Sequence, residues 1–331
     1  MNEKSNEKEI VVKDEKNTIF PFVTVGIITY NPDKEKLIKV IDSALCQKSV
    51  HLQLVFSDDG SEENYFDDAE KYLNDKGFVN YKFFENKVNQ GTVINCISAA
   101  ELADGTYIKL LSPGDYLCGE FALKKWIEGM ELENADWSFC DSYYYQVDGN
   151  EKKQLVRYMA NPRVVEPYIS KDEKVYRWNY IGITDFVLGA ATLFRKDVLL
   201  RYLYEIKGKI IYAEDYILSL MMLDKRKVFY AQEYLILYEY GTGISTNRNL
   251  MWAKKIRNDY MQLLEIMLGR IKVTCREDKR IYKVLLINKT SNKWLRRIKK
   301  FVHPIFFWRT LKFSLSKKRF TPTTWPQEEN Q

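Results

Sequence analysis

The stretch Thr106–Leu117, TYIKLLSPGDYL, decides the fold predicted for this chain. Its apolar part, Tyr107–Leu111, predicts a short strand, and the Pro-Gly turn after it leads to one carboxylate, Asp115. In open α/β sheets, ligands bind in the crevice outside the carboxyl ends of the strands. We therefore expect Asp115 to point into a ligand-binding crevice.

Three more strand patterns precede this stretch, and each is followed by a helical pattern. The first, FVTVGII at Phe22–Ile28, is a continuous apolar run, which is typical of a strand buried on both faces. The other two are Leu52–Phe56 and Tyr81–Phe84. Short crossovers of this kind require parallel strands and right-handed connections. Residues 21–117 therefore predict a nucleotide-binding half with β-α-β-α-β-α-β order.

After Asp115 the alternation of strands and helices is looser. The patterns predict helices at Phe121–Met130, at Lys196–Tyr204, from Tyr212 onward and over 249–270, and strands at Ala135–Val147, Val187–Phe194 and near Val228–Tyr230. Residues 148–180 are hard to assign, and Arg157, Pro162 and Arg163 within them suggest a loop over the site. We interpret residues 1–20 as a flexible charged leader, 21–245 as the main domain with its second half at 118–245, and 246–331 as a helical basic extension.

Composition excludes several classes of site. The 331 residues include two histidines, His51 and His303, which leaves almost nothing for a His-based catalytic triad or a zinc centre. The five cysteines are scattered without a CxxC pair, so we expect neither a zinc site nor a disulfide framework. No apolar run reaches the roughly 18 residues of a membrane-spanning helix. Acid, base and metal chemistry must therefore come from Asp and Glu.

Three acidic clusters fall at the ends of predicted elements. Asp58-Asp59 and Asp115 each follow a parallel strand, so they should converge on one rim of the sheet. Glu214-Asp215 opens a helix, where N-terminal capping is the alternative explanation. For Asp58-Asp59 the alternative is a turn that caps the next helix.

The ordered set of motifs resembles the family-2 glycosyltransferases with the GT-A fold. The matching segments, over roughly residues 22 to 225, are VTVGIITYN (Val23–Asn31), SDDGS (Ser57–Ser61), NQGT with Asn95, GTYIKLLSPGDYL (Gly105–Leu117), GAATLFRKDVL (Gly189–Leu199) and AED (Ala213–Asp215). The resemblance implies a Rossmann-like, mostly parallel α/β sheet flanked by helices. It also implies a nucleotide-sugar donor, a divalent metal and an inverting transfer to an acceptor hydroxyl.

The resemblance assigns donor nucleotide-binding roles to residues at strand ends, at a helix start and in a late loop. These residues are Thr29, Tyr30, Asn31, Asp58, Asp59, Asn89, Gly91, Thr92, Asp115 and Arg248. A carboxylate of Asp58 or Asp59 can accept a hydrogen bond from the uracil imide N–H, which favours uracil or thymine over purines. The helix start suits ribose or diphosphate. For the loop that leads to Arg248, a plain glycine turn is the alternative.

The metal motif departs from the family pattern. The family has D-x-D or D-x-D-D here, whereas this chain has Ser112-Pro113-Gly114-Asp115 and keeps only the last acid. Diphosphate and water can supply most of the about six oxygens that a hard divalent ion needs, so one carboxylate can suffice. We predict a weak Mg²⁺ or Mn²⁺ site on Asp115, which stabilises the departing diphosphate. A metal-independent variant that uses Lys or Arg is the alternative.

The acidic pair Glu214-Asp215 matches the family's pair near the acceptor. The resemblance implies that Asp215 is the general base, which takes the proton from the attacking acceptor hydroxyl. Glu214 then orients the acceptor or the base.

The basic charge of the chain is concentrated near its C-terminus. Residues 281–320 contain twelve of the 51 Lys and Arg residues and no Asp or Glu, which leaves 39 basic against 45 acidic residues elsewhere. Within 293–315, apolar and aromatic residues recur at helical spacing between the basic ones, with a kink expected at Pro304. This pattern favours an anionic membrane surface. Packing against the main domain, an oligomer contact and nucleic acid are the alternatives, and the missing acids disfavour the first.

The sequence as a whole predicts a cytoplasmic hexosyltransferase, peripheral on the inner face of the cell membrane. It would transfer sugar from a UDP-sugar to a glycan or lipid-linked acceptor in the synthesis of capsule or another surface polysaccharide. The alternative is a catalytically inactive nucleotide- or sugar-binding module with the same fold. A Rossmann oxidoreductase is disfavoured because the first strand leads to TYNPD and not to GxGxxG. No nucleic-acid partner is expected, and a homo-oligomer is possible.

Overall fold

The computed structural model describes residues 20–148, 152–243 and 250–325. Within them one mixed sheet of nine strands forms the centre. The strands are β1 Phe22–Thr29, β2 His51–Asp58, β3 Tyr81–Glu85, β4 Tyr107–Leu111, β5 Tyr116–Leu117, β6 Trp137–Val147, β7 Lys153–Leu155, β8 Thr192–Arg195 and β9 Val228–Glu239. The helices are α1 Lys34–Leu45, α2 Phe66–Asp75, α3 Thr92–Leu102, α4 Ala122–Leu132, α5 Glu166–Ile169, α6 Glu173–Trp178, α7 Lys196–Ile206, α8 Ile217–Leu223, α9 Leu250–Arg270, α10 Arg276–Lys289, α11 Lys293–Val302 and α12 Pro304–Leu315.

The strand order confirms the predicted parallel half. The order across the sheet is β3-β2-β1-β4-β8-β6-β9-β5, and β7 pairs with β6 outside this path. Strand β1 pairs in parallel with β2 and β4, and β2 pairs in parallel with β3. Strand β8 runs antiparallel to β4 and β6, and β5 runs antiparallel to β9. The carboxyl ends of β1, β2 and β4 therefore meet at one edge.

Apolar packing on both faces explains why the central strands are continuous apolar runs. Seven of the eight residues of β1 are buried. Val25 and Ile27 belong to one apolar cluster, which lies with α1, α2 and α4, whereas Ile28 belongs to the second, with α3, α7 and α8. Helices on both faces are the usual arrangement for parallel strands. The helices also fix the direction in which each strand end points.

Two strands differ from the prediction. The strand predicted over Val187–Phe194 begins only at Thr192, because Gly189–Ala191 form a 3₁₀ turn in which Thr192 Oγ1 donates to Gly189 O at 2.6 Å. Strand β9 is much longer than the short strand predicted at its start. In the sequence, the polar residues Gln232 and Glu233 suggest the end of a strand. In the structure they are exposed at a bulge, and the pairing of β6 with β9 continues beyond them.

The basic helical region is partly packed against the main domain. As predicted, the helix over 293–315 breaks at Pro304, which gives α11 and α12. The expectation that this region avoids the main domain is wrong for α12, because Phe306 and Phe313 are buried. Burying one such side chain is worth about 2 kcal/mol. Helix α11 has no buried residue. Of the helices in the described ranges, none is both long and apolar enough to cross a membrane.

The segment after α12 returns to the second half of the main domain. Phe320 forms a β-bridge with Met159. Main-chain bonds on either side join Ala160 N to Arg319 O at 3.1 Å and Thr321 N to Tyr158 O at 2.9 Å. This segment therefore lies beside the loop that follows β7. The domain boundary predicted at residue 246 stays a prediction.

Candidate active site

A large cleft of about 1400 Å³ lies at the carboxyl edge of the sheet. It is lined by most of the residues predicted for the site: Thr29, Tyr30, Asn31, Asp59, Asn89, Gly91, Thr92, Asp115, Glu214 and Asp215. Among the described residues, one predicted site residue is not part of its walls. Asp58 lies beneath the surface, and Arg248 lies outside the described residues. The strand-end acids and the acidic pair, far apart in sequence, thus face one space.

Asp58 shapes the first loop from inside. Its side chain has no solvent exposure, and its carboxylate accepts from Thr29 Oγ1 at 2.7 Å, from Ser61 N at 2.7 Å and from Ser61 Oγ at 2.6 Å. Ser61 Oγ in turn accepts from Asn31 N at 2.6 Å. The bonds of Asp58 tie the ends of β1 and β2 together, and they hold Tyr30 and Asn31 at the cleft.

Asp59 fixes the second loop and still faces the cleft. Its Oδ1 accepts from Gln90 N at 2.9 Å and from Asn86 Nδ2 at 3.2 Å, and its Oδ2 accepts from Gly91 N at 2.8 Å. Burial raises the pKa of the Asp59 carboxyl, although these three donors oppose the shift. Oδ2 keeps a lone pair for one more donor. Asp59, rather than Asp58, is therefore the acid of this motif that can accept a further hydrogen bond from the cleft.

Gly91 brings the start of α3 against the segment before the acidic pair. Its φ is +94°, and a Cβ built there would lie 2.4 Å from Ile211 Cγ2 and 2.6 Å from Ile211 O. The next turn is joined to the same residue, because Val93 N donates to Ile211 O at 3.1 Å. Only glycine fits this close approach.

Asp115 lies on the floor of the cleft, with part of its surface open to it. Burial, with a smaller contribution from the Glu239 charge, raises the pKa of its carboxyl to about 7, although the main-chain N–H of Glu239 and the charges of Lys109 and Lys36 oppose the shift. The main-chain N–H of Glu239 donates to Asp115 Oδ1 at 3.2 Å. The end of β9 therefore supports the acid that the sequence singled out.

Glu239 is a second acid at this place, and the sequence prediction missed it. Glu239 lines the cleft and is 5% exposed. Both of its carboxylate oxygens lie 2.6 Å from Lys36 Nζ. A Cβ at Gly114 would lie 2.4 Å from Glu239 Oε2. The carboxylate of Glu239 thus fills the space next to the turn where the family pattern has a further acidic side chain. No local sequence signal marks it, since it comes from a distant strand.

Lys109 adds a buried positive charge below Asp115. Its side chain is fully buried, and Nζ donates to Leu110 O and to Ala190 O, both at 2.7 Å. Burial lowers the pKa of Lys109 to about 8. Its carbonyl partners join the end of β4 to the turn before β8.

Glu214 and Asp215 begin a 3₁₀ turn before α8 and line the same cleft. Burial raises the pKa of both carboxyls, and the charge of Asp215 raises that of Glu214 further. A Cβ at Gly189 would lie 3.2 Å from Asp215 Cβ, so the turn before β8 packs closely on this acid. An acid with a raised pKa is suited to general base work near neutral pH.

Asp259 on α9 holds the acidic pair in place, and it was also missed. It is 1% exposed, and its Oδ2 accepts from the consecutive main-chain N–H groups of Ile211, Tyr212 and Ala213 at 3.3, 2.7 and 3.2 Å. One carboxylate oxygen therefore orients the segment directly before Glu214. In sequence, Asp259 was one acid in a helical pattern, with no cue to its partner.

Comparison with known proteins places this geometry in context. Residues 24–203 match the family model described as Glycosyl transferase family 2. No curated protein sequence matches the chain. The fold is similar to residues 1–349 of TarS from S. aureus in complex with UDP, with TM-score 0.54 and 16% identity over 85% of this chain and 74% of that one. It is also similar to the mannosyltransferase PcManGT from Pyrobaculum calidifontis in complex with GDP-Man and Mn²⁺, with TM-score 0.58 and 12% identity over 89% and 76%. These similarities confirm the predicted fold.

Proposed function

The chain belongs to glycosyltransferase family 2, and from that premise we propose an inverting transfer of sugar from a UDP-sugar to a hydroxyl of a glycan or lipid-linked acceptor, in the synthesis of a surface polysaccharide. One observation carries the proposal. The cleft joins the loops at the ends of β1 and β2 and Asp115 with the half-buried pair Glu214-Asp215. A donor held at the loops and Asp115 would meet an acceptor activated by the acidic pair inside this cleft.

The choice of uridine diphosphate rests on Asp59. Its oxygens face the nucleotide end of the cleft, and a carboxylate accepts the imide N–H that uracil carries. The two similar structures carry different nucleotides, UDP and GDP-Man, so fold alone does not select the base. Tyr30 is 52% exposed at the same loop and can pack on the base. The N-terminus of α3, at Gly91 and Thr92, then faces the diphosphate.

Asp115, with Glu239 beside it, would hold a divalent ion, although both carboxylate oxygens of Glu239 lie 2.6 Å from Lys36 Nζ. Asp115 Oδ1 accepts one main-chain N–H, and no described hydrogen bond occupies Oδ2. Among the described residues, no group of three or more His, Cys, Asp or Glu side chains could hold a metal, so diphosphate and water oxygens must complete the shell. When bound, Mg²⁺ or Mn²⁺ supplies Lewis-acid stabilisation of the leaving diphosphate. Lys36, held by Glu239, offers a positive charge at the same place.

The acidic pair would activate the acceptor. Asp215 takes the proton of the acceptor hydroxyl, whose oxygen forms the new bond to the anomeric carbon as the bond to the diphosphate breaks on the opposite face. The product is the glycoside with inverted configuration, and the nucleoside diphosphate leaves with the bonding electrons. Glu214, with the more strongly raised pKa, holds a proton and can donate a hydrogen bond to the acceptor.

Nucleotide binding tests the donor half. The full chain is titrated with UDP, TDP, GDP and ADP by calorimetry, with and without Mn²⁺. We expect UDP to bind best and Mn²⁺ to tighten it; a preference for GDP would refute the base assignment. In Asp115→Ala, we expect the gain from Mn²⁺ to disappear. If Mn²⁺ tightens UDP binding equally in that variant, the metal assignment is wrong.

An Asp215→Asn variant tests the catalytic half. We expect transfer to fall at least about 1000-fold while UDP binding stays unchanged, because proton abstraction is lost and the donor contacts are not. Asp197→Asn, an exposed acid in the first turn of α7, is the matched control and should keep full activity. Unchanged turnover in Asp215→Asn would refute the role of Asp215. Binding of UDP without any transfer by the wild-type chain would favour the inactive binding module.

The exposed face of α11 and α12 supports association with an anionic membrane. Trp294, Phe301 and Trp308 are 72, 70 and 65% exposed, and α11 carries four Lys and Arg residues beside them after its first residue. Basic residues near an anionic surface contribute about 1 kcal/mol each, and aromatic side chains add apolar area. The wild-type chain should bind phosphatidylglycerol vesicles and not phosphatidylcholine vesicles. A Trp294→Ser/Trp308→Ser variant should bind the phosphatidylglycerol vesicles less tightly.

Leu132→Ser is the matched control for that experiment, since Leu132 is 87% exposed on α4. Failure of the wild-type chain to sediment with anionic vesicles at low salt would refute membrane association. A fall in molecular mass of the double variant in solution, without any vesicle binding by the wild type, would assign the face to an oligomer contact instead.

A further inference from the structure

We propose that the part of the cleft formed by Arg157, Tyr158, Arg163 and Phe320 is a subsite for an acidic glycan. The subsite deepens the proposed function, on which it rests, by naming the class of acceptor. All four residues are exposed, and all four line the cleft that holds Glu214 and Asp215.

An aromatic platform forms the base of this subsite. Tyr158 packs against Tyr240 with ring centroids 4.4 Å apart and the ring planes tilted by 37°, and the Tyr240 ring lies 5.9 Å from the buried ring of Tyr144. Tyr158 and Phe320 nevertheless keep 45% and 43% of their surface exposed. Rings that are fixed from behind and open in front offer a flat apolar face. The apolar C–H face of a pyranose ring fits such a platform.

Two guanidinium groups flank the platform and select for negative charge. The guanidinium of Arg157 lies over the Phe320 ring, 4.1 Å from its centroid, and no described residue forms a salt bridge with it. Arg163 has no described salt bridge either; its own main-chain N–H donates to Asp185 Oδ1 at 2.9 Å. By contrast, Arg319 behind the platform is paired with Asp141 at 2.5 Å. Arginines left unpaired in a cleft suit a carboxylate or phosphate, which they bind through two parallel bonds.

The segment after α12 makes this arrangement rigid. The main-chain bonds around the bridge between Met159 and Phe320 hold the platform, and Thr321 Oγ1 accepts from Tyr158 N at 2.8 Å while donating to Val156 O at 2.7 Å. Arg319 also donates to Pro162 O at 2.9 Å, next to Arg163. The subsite is therefore preformed, so a ligand loses little free energy in ordering it.

Matched pairs of probes test the charge preference and its source. The carboxylate probe is trigalacturonate, compared with its methyl ester; the phosphate probe is a 6-phosphorylated mannotriose, compared with mannotriose. Binding to the full chain saturated with UDP is measured by calorimetry at low and at physiological salt. We expect at least one acidic probe to bind tenfold or more tightly than its neutral partner, and the acid that does so identifies the source of the charge.

Three variants assign the effect to residues. Arg157→Ala should reduce the acidic-to-neutral ratio at least fivefold, and Arg157→Lys should restore part of it, because the charge returns without the planar fork. Phe320→Ala should weaken acidic and neutral probes by similar factors. Arg201→Ala, on the exposed face of α7, is the control and should change neither.

Equal binding of acidic and neutral probes, or a ratio that survives Arg157→Ala and Arg163→Ala together, overturns the proposal. Absence of binding by both acidic probes while UDP still binds also overturns it. In these cases the donor site stands, since UDP binding is measured on the same samples. Loss of UDP binding in the wild-type chain would instead refute the proposed function itself.

Discussion

Replacement of Asp259 tests whether α9 positions the acidic pair. The change to Ala removes one oxygen that accepts three main-chain N–H groups, one at 2.7 Å and two at 3.2 and 3.3 Å. Bonds to a charged group are worth about 1.5–3 kcal/mol when well formed, so one good bond and two long ones amount to roughly 3 kcal/mol. For a chain of this size, each kcal/mol lowers the Tm by about 2 °C. Asp259→Ala should therefore melt roughly 6 °C lower.

Asp259→Asn separates the geometry from the charge. All three donors go to Oδ2, and the amide oxygen of Asn can take that position, so we expect a loss of only about 1 kcal/mol. Activity should respond more strongly than stability, since displacement of a catalytic group by 1 Å can cost about 100-fold in rate. We expect kcat to fall about 100-fold in the Ala variant and less than about tenfold in the Asn variant, with a smaller change in the KM for donor.

The assay compares kcat, KM and thermal melting of the two variants with those of Glu265→Ala. Glu265 is an acid on the same helix, and its side chain is 53% exposed, so its removal should leave both properties unchanged. If Asp259→Ala lowers the Tm but keeps wild-type kcat, the carboxylate stabilises α9 without positioning the pair. Equal kcat in the Ala and Asn variants would also contradict the reasoning.

Three further predictions concern the same cleft. Gly91→Ala should weaken UDP binding at least tenfold in calorimetry, whereas Gly77→Ala, which has φ +69° with no atom within 4 Å, should leave it unchanged; equal effects would exclude the contact with Ile211 as the cause. Because burial raises the pKa of Asp215, the acid limb of kcat/KM should lie well above the pKa of about 4 of an ordinary Asp, and transfer should increase as the carboxylate ionises; a pH-independent rate between pH 5 and 8 would contradict this. Glu239→Gln should reduce the gain in UDP affinity that Mn²⁺ provides, and paramagnetic resonance should show more free Mn²⁺ in this variant. An unchanged gain would leave Asp115 as the sole acid at the metal site.

The sequence was sufficient for the parallel half of the fold. Strand β4 begins and ends at the residues predicted, Tyr107 and Leu111, because a strand buried on both faces is a plain apolar run with a turn after it. The break between α11 and α12 was equally visible, since Pro304 cannot continue a helix. In both cases the deciding signal lies within a few residues of the feature.

The second half was harder because its signals are not local. Strand β9 carries polar residues at a bulge, and only its pairing with β6 shows that it continues to Glu239. Gly189–Ala191 have the apolar composition of a strand but turn instead, since their neighbours line the cleft. An apolar pattern does not distinguish a strand from a buried turn when the tertiary partner is unknown.

The site residues divide in the same way. Asp59, Asp115 and the pair at 214–215 sit at the ends of elements, where their position alone drew attention. Glu239 ends a strand whose continuation beyond Tyr230 the sequence did not reveal, Asp259 lies inside a helix, and each acts through a partner far away in the chain. Asp58 was predicted as a site residue because it shares a motif with Asp59. Its carboxylate oxygens instead accept hydrogen bonds from Thr29 and Ser61 within the loops. Which of two adjacent acids faces a cleft is a question of side-chain direction.

The ion pair between Lys36 and Glu239 affects the order in which parts of the enzyme fold. These residues are 203 positions apart, so the pair closes a very large loop. The parallel strands β1 to β4 can assemble from neighbouring segments, whereas the floor of the cleft forms only when β9 has inserted between β6 and β5. Closure of long loops is slow relative to local pairing. During refolding, recovery of the loops at the ends of β1 and β2 should therefore precede recovery of the proposed metal-dependent donor binding. The chain would pass through a partly folded stage that cannot yet bind a donor productively.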